Sequence, residues 1–343
     1  MFAFNKSRMV RKLIAIFLFI SIGKTGYSQT AEEWVQSGNN KMEEGNMLGA
    51  IKDYTSAIGL NPEYAEAYLG RGSVYGELLS FPEAYLDINN ALSLKPNLVD
   101  AYFNRGFLNY LTRDYTAALK DFNRYLNAKP NDPDGYLARS NTLLKLNFLD
   151  LADKDLEMYL SFNPTTAGDY ETRSNVKLRM QDTAGAICDI TTAISLSPDN
   201  VELFLTRGHY YFSKGSYRKA IEDYNVYLIN DKSNYIAYLK RGEAYALLEI
   251  YSAAIEDYTS AIKLNNTDAR LFFFRGVYYL ENKDFAQAKS DFTIALKRNY
   301  LDSELVHYNL GIAEINLDNI VQACKEFKQS GEMAAEFIQK YCK

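Results

Sequence analysis

The chain repeats itself every 34 residues. Units begin at Ala31, Ala65, Val99, Pro133, Ala167, Val201, Tyr235, Ala269 and Glu304, the last one residue late, so a one-residue insertion precedes it. The twentieth position of every unit is alanine: Ala50, Ala84, Ala118, Ala152, Ala186, Ala220, Ala254, Ala288 and Ala323. The eighth is glycine, except for Ser140 and Ser174. A ring stands fourth in every unit but the ninth, which has His307. Position 24 holds Tyr54, Ile88, Phe122, Leu156, Ile190, Tyr224, Tyr258, Phe292 and Phe327, and proline occupies position 32 from Pro62 to Pro198.

Positions 4, 8 and 11 fall on one helical stripe, and positions 20, 24 and 27 on another. Each unit therefore holds two amphipathic helices, A and B. Small residues at 8 and 20 let their axes approach, large side chains fill the space around that contact, and proline stops helix B. One pair cannot bury its apolar faces alone, so neighbours must stack. With 47% hydrophobic and 14% aromatic residues the chain can do so.

The pattern resembles the tetratricopeptide repeat family, over about nine tenths of the chain. The resemblance implies an all-α, right-handed superhelical solenoid of about nine helix-turn-helix units across residues 31–331, with a concave groove lined by the A helices. Residues 332–343 read as a C-terminal capping helix. Its Ala334, Ala335, Ile338 and Tyr341 are expected to face inward.

The first 28 residues differ from the rest. Lys6, Arg8, Arg11 and Lys12 precede the apolar run Leu13 to Ile22, and small residues Gly26 and Ser28 follow. That is the layout of a secretory signal peptide, too short for a comfortable membrane span. The chain is expected to be exported, periplasmic or secreted, and to meet a membrane only through partners or an uncleaved anchor. The formal charge is −5; without the five cations of the segment it is −10. An acidic surface disfavours nucleic acid.

Two charged columns recur. Position 7 carries Arg71, Arg105, Arg139, Arg173, Arg207, Arg241 and Arg275; position 23 carries Asp53, Asp87, Asp121, Asp155, Asp189, Asp223, Asp257 and Asp291, then Glu326. Partly buried guanidinium groups need carboxylate partners. The columns read as structural ion pairs, not as a ligand-binding charge ladder. Because Asp53 precedes the first arginine, the offset fits the Asp of one unit meeting the Arg of the next. Arg139→Leu is then expected to destabilise the fold.

By the same family resemblance, groove residues come from positions 2, 5, 9, 12 and 13 of the A helices. Carried over, these give Asn39, Phe103, Phe107, Tyr110, Asn141, Asn175, Leu205, His209, Phe212, Glu243 and Phe273. Asn141 and Asn175 can donate to and accept from a peptide backbone. Phe103, Phe107 and Tyr110 offer an apolar pocket for anchor side chains. Phe272 to Phe274 cannot all point inward.

No nucleophile–base constellation, phosphate loop or metal-ligand spacing occurs, so the chain reads as a non-enzyme without cofactor or metal. The expected partner is another protein or peptide; carbohydrate or peptidoglycan is the alternative. Of three cysteines, Cys188 reads as a partly buried filler. An antiparallel return of the tail can bring Cys342 towards Cys324. The tail is also similar to endings of exported helical-repeat proteins of Bacteroidetes-like bacteria. A disulfide there would staple the cap; the alternative is two unpaired thiols.

Overall fold

The computed structural model describes residues 29–162 and 166–342; the expected signal segment lies outside them. The described residues hold nineteen α-helices and no strand. They fall into two compact units, divided at Pro164 and Thr165. The first contains four helix pairs: α1 (Ala31–Glu43) with α2 (Met47–Leu60), α3 (Ala65–Glu77) with α4 (Phe81–Leu94), α5 (Val99–Leu111) with α6 (Tyr115–Ala128), and α7 (Pro133–Lys145) with α8 (Leu149–Phe162). The second contains five: α9 (Ala167–Arg179) with α10 (Thr183–Leu196), α11 (Val201–Ser213) with α12 (Tyr217–Asn230), α13 (Tyr235–Leu247) with α14 (Tyr251–Leu264), α15 (Ala269–Glu281) with α16 (Phe285–Lys297), and α17 (Ser303–Asn316) with α18 (Ile320–Gln329). A short tail helix, α19 (Ala335–Tyr341), follows them.

Helix ends are set locally. Thr30 opens α1 with a capping box, its hydroxyl accepting from Glu33 N–H while the Glu33 carboxylate accepts from Thr30 N–H. Within each pair the turn places position 15 in the left-handed region. Gly45 and Gly215 suit that conformation, but Leu79 (φ 60°), Arg113, Asn147, Gln181, Glu249, Lys283 and Asp318 also adopt it. A side chain there costs about 1–2 kcal/mol, which glycine avoids at some entropic cost. Leu79 is 65% exposed, so little burial is at stake. Leu79→Gly is expected to raise stability by about 0.5–1 kcal/mol in denaturant unfolding. A lowered midpoint would mean the turn is unstrained.

The contact between paired helices is close. All nine position-20 alanines are fully buried. A Cβ added at Gly38, Gly106, Gly208, Gly242, Gly276 or Gly311 would lie 2.4–2.9 Å from the ring at position 24 of the same pair. The two serines at position 8 occur where position 24 is Leu156 or Ile190, and their hydroxyls donate to the Leu137 and Glu171 carbonyls. The inserted residue lies between α16 and α17, where Asn299 takes φ 56° and Tyr300 stacks on Phe273 with centroids 4.5 Å apart.

The charged columns pair within each unit, not between successive units. Arg71, Arg105, Arg139, Arg173, Arg207, Arg241 and Arg275 each grip the Asp sixteen residues ahead through Nε and Nη2, at 2.6–2.9 Å. The partners are Asp87, Asp121, Asp155, Asp189, Asp223, Asp257 and Asp291. Asp53 has no arginine and instead receives Ser37 Oγ and Lys41 Nζ, at 2.5 and 2.6 Å. Paired helices face each other along their length, so the shortest reach from position 7 is to its own B helix. The link between neighbouring pairs is a third bond. Nη1 donates at 2.6–3.3 Å to position 25 of the preceding pair: Thr55, Asn89, Asn123, Thr191, Asn225 or Thr259. The position-4 ring lies 5.5–5.9 Å from each guanidinium carbon.

Two further expectations need correcting. Cys188 is exposed, not a filler. It occupies position 22, a solvent-facing column that elsewhere holds Lys52, Lys120, Lys154, Glu222 and Glu256. In the tail, Ala335 is exposed, and Phe337 takes the inward place, 5.1 Å from the Phe327 ring. A 3-10 turn over Gly331–Ala334 rotates the helix face by moving its start to Ala335. Cys324 and Cys342 are joined by a disulfide across this cap.

Candidate functional site

In the second unit, the A helices α11, α13 and α15 present one open pocket of about 450 Å³. Phe212 comes from position 12 of α11. Glu243, Ala246 and Leu247 come from positions 9, 12 and 13 of α13. Phe274, Val277, Tyr278 and Glu281 come from α15, with Tyr251 and Tyr258 of α14 behind them. Helical periodicity brings positions 9, 12 and 13 to one side, away from the stripe that packs on helix B.

The walls are aromatic. Tyr258 meets Tyr278 edge-on at 5.2 Å, and Tyr251 stacks on Tyr278 at 6.4 Å. Burial pushes the Tyr258 and Tyr278 hydroxyls above the ordinary phenol range, so both stay protonated. Lys240 Nζ donates to Glu243 Oε2 at 2.8 Å and lies 5.4 Å from the Phe212 ring centre. His209 sits one turn before Phe212, its ring 5.6 Å from Tyr224. Burial first, and the Lys240 charge second, hold its imidazole below the usual histidine range. Its Nε2 is buried without a hydrogen bond.

The expected groove residues therefore divide. Phe212 and Glu243 line the pocket. Phe273 does not belong to a groove: it is 3% exposed and packs on Phe292 and Tyr300. The next residue, Phe274, is the one turned outward. Leu205 packs against the cluster of Tyr227, Leu228 and Ala237. Two asparagine amides are engaged inside the fold. Asn39 Oδ1 accepts from Tyr54 Oη at 2.7 Å, and Asn175 accepts from Tyr210 Oη and donates to the Glu171 carbonyl. Asn141 is half-buried in the first unit. Phe103, Phe107 and Tyr110 pack half-buried against Ala118, Phe122 and Ala138, with Phe103 4.8 Å from Tyr125. They form part of the packing between pairs, not an open pocket.

Sequence reasoning missed Leu247, Phe274, Val277, Tyr278 and Glu281. Leu247, Val277 and Glu281 stand at positions 13, 9 and 13, so extending the same columns would have found them. Phe274 and Tyr278, at positions 6 and 10, carry no such signal. Among the described residues no cluster of side chains could hold a metal ion, and no helix is long and apolar enough to cross a membrane.

Residues 38–78, 73–142 and 205–269 match sequence families described as tetratricopeptide repeats. The C-terminal part of a TPR repeat-containing protein from Cytophaga hutchinsonii has a similar fold, with TM-score 0.57 at 18% identity, over 66% of this chain and 93% of that one. Two other solved structures are similar over part of the chain. MamA shows 25% identity and TM-score 0.44, over 49% of this chain and 97% of its own. YrrB, described as a TPR protein with an unusual peptide-binding site, shows 17% identity and TM-score 0.48, over 54% and 94%. No curated protein sequence matches the chain.

Proposed function

Because the chain belongs to the tetratricopeptide repeat family, we propose that it is a non-catalytic scaffold that holds a segment of another protein on its A-helix face. One observation carries this reading. Three successive A helices leave Leu247 and Phe274 exposed, with Phe212 and Val277 half-buried beside them, around one open pocket. Leu247 is 55% exposed. Apolar and aromatic clusters of this kind are anchor sites for partner side chains.

We further propose that the scaffold is exported. The cationic and apolar layout of residues 1–28 supports this, and so does the Cys324–Cys342 disulfide, a bond that persists in oxidising compartments.

The test is cross-linking mass spectrometry in the native cells, comparing the unaltered chain with a Leu247→Glu, Phe274→Ser variant. Wild type is expected to capture a protein partner that the folded variant loses. Equal capture by both would move binding off this face. Elution of the partner by soluble glycan, and not by peptide, would favour carbohydrate recognition.

A further inference from the structure

The last helix pair breaks the charged pattern at one point only. Position 23 keeps a carboxylate, Glu326, and position 25 of the preceding pair keeps a hydroxyl, Thr293, but position 7 is Leu310. For Arg71, Arg105, Arg139, Arg207, Arg241 and Arg275 these two positions together hold the guanidinium. Thr55 and Thr191 show the full arrangement: each hydroxyl donates to the carbonyl four residues back and accepts from the guanidinium of Arg71 or Arg207. Thr293 makes the first of those bonds, to the Lys289 carbonyl at 2.8 Å, and receives no arginine.

A pocket of about 840 Å³ opens at this place, lined by Glu326, Thr293, Leu310 and His307. Glu326, Thr293 and His307 are the equivalents of the carboxylate, the position-25 group and the position-4 ring around a guanidinium in the preceding pairs, and Leu310 stands in the arginine's own place. Glu326 is 6% exposed. Its two oxygens contact His307 Nδ1 at 2.7 Å and Gln322 Nε2 at 2.5 Å. A carboxylate offers about four acceptor sites, so room remains for a forked donor. Glu314, also in the pocket, is engaged by Lys289 and Asn319, both at 2.9 Å. Ile320, 49% exposed at the rim, offers an apolar surface to a side-chain stem.

We infer that this pocket takes an arginine side chain supplied by another protein, in the place that the chain's own arginine fills in seven earlier pairs. Arginine fits better than lysine because the site presents acceptors on two helices, which a planar fork spans and a point charge does not. The site is separate from the A-helix pocket and does not depend on the function proposed for it.

The test is a solution NMR titration of the full exported chain, following the Ile320 methyl groups, with Nα-acetyl-argininamide and Nα-acetyl-lysinamide as probes. The arginine probe is expected to saturate with a Kd on the order of 1–10 mM, and the lysine probe to bind about fivefold more weakly or less. Leu310→Arg, which supplies the guanidinium from within, is expected to abolish the response. Glu326→Gln is expected to weaken it about tenfold, and Leu247→Glu to leave it unchanged. No saturable change in the wild-type protein, or equal binding of the two probes, would overturn the inference even if a variant failed to fold. Full-strength binding to folded Glu326→Gln would overturn it as well.

Discussion

Arg241→Leu is expected to cost about 3–5 kcal/mol of unfolding free energy near neutral pH. The change removes three bonds at once. Two bind Asp257, at 2.8 and 2.6 Å, and the third binds Asn225 of the preceding pair at 2.6 Å. The larger part of the cost is the Asp257 carboxylate left behind. It is 4% exposed, and burial already raises its pKa above 3.8 although Arg241 lowers it. A carboxyl with a raised folded pKa binds its proton more tightly when folded. Its contribution is fully present below the unfolded value and is lost as pH rises through the folded one. Without Arg241 the folded pKa climbs further, so the variant loses more than wild type over that rise. Its deficit should therefore shrink as the pH of the denaturation experiment is lowered from about 7 towards the unfolded value of 3.8. A deficit that did not vary with pH would assign the loss to packing and not to a stranded charge.

The second large effect is expected at the contact between paired helices. In Gly276→Ser the new Cβ would meet Phe292 Cε1 at 2.8 Å. The backbone of a helix pair cannot widen locally without disturbing its neighbours, so about 2–3 kcal/mol of overpacking is expected. The chain shows its own remedy, since serine at position 8 coincides with Leu156 or Ile190 at position 24. Gly276→Ser combined with Phe292→Leu should thus be less destabilised than the sum of the single variants, by about 1 kcal/mol or more in a double-mutant cycle. Additive losses would show that ring and glycine are not coupled.

Much of the fold was legible because its determinants are periodic. Ala50 to Ala323 recur without exception, and helix formation, close approach and stacking all follow from side-chain size at fixed intervals. The candidate site was only partly legible. Phe212 and Glu243 were reached because they continue the same columns. Phe273 and Phe274 could not be told apart by residue type: Phe272 and Phe273 are buried, Phe273 against Tyr300, and Phe274 is the ring turned outward. Asn175 looked like a free amide, and Asn39 like a groove residue, because their partners, Tyr210 and Tyr54, lie 35 and 15 residues away.

The sequence by itself determined the helix pairs, their count and the columns that pack them, because these depend on local periodicity and side-chain volume. Only the tertiary structure decided which carboxylate each arginine grips and where cavities open. The sixteen-residue reach from Arg241 to Asp257 and the reach back to Asn225 differ by distances across helix faces, not by residue type. Likewise, Leu310 at a position that seven earlier pairs give to arginine becomes a site only when Glu326 and Thr293 converge around the same open space.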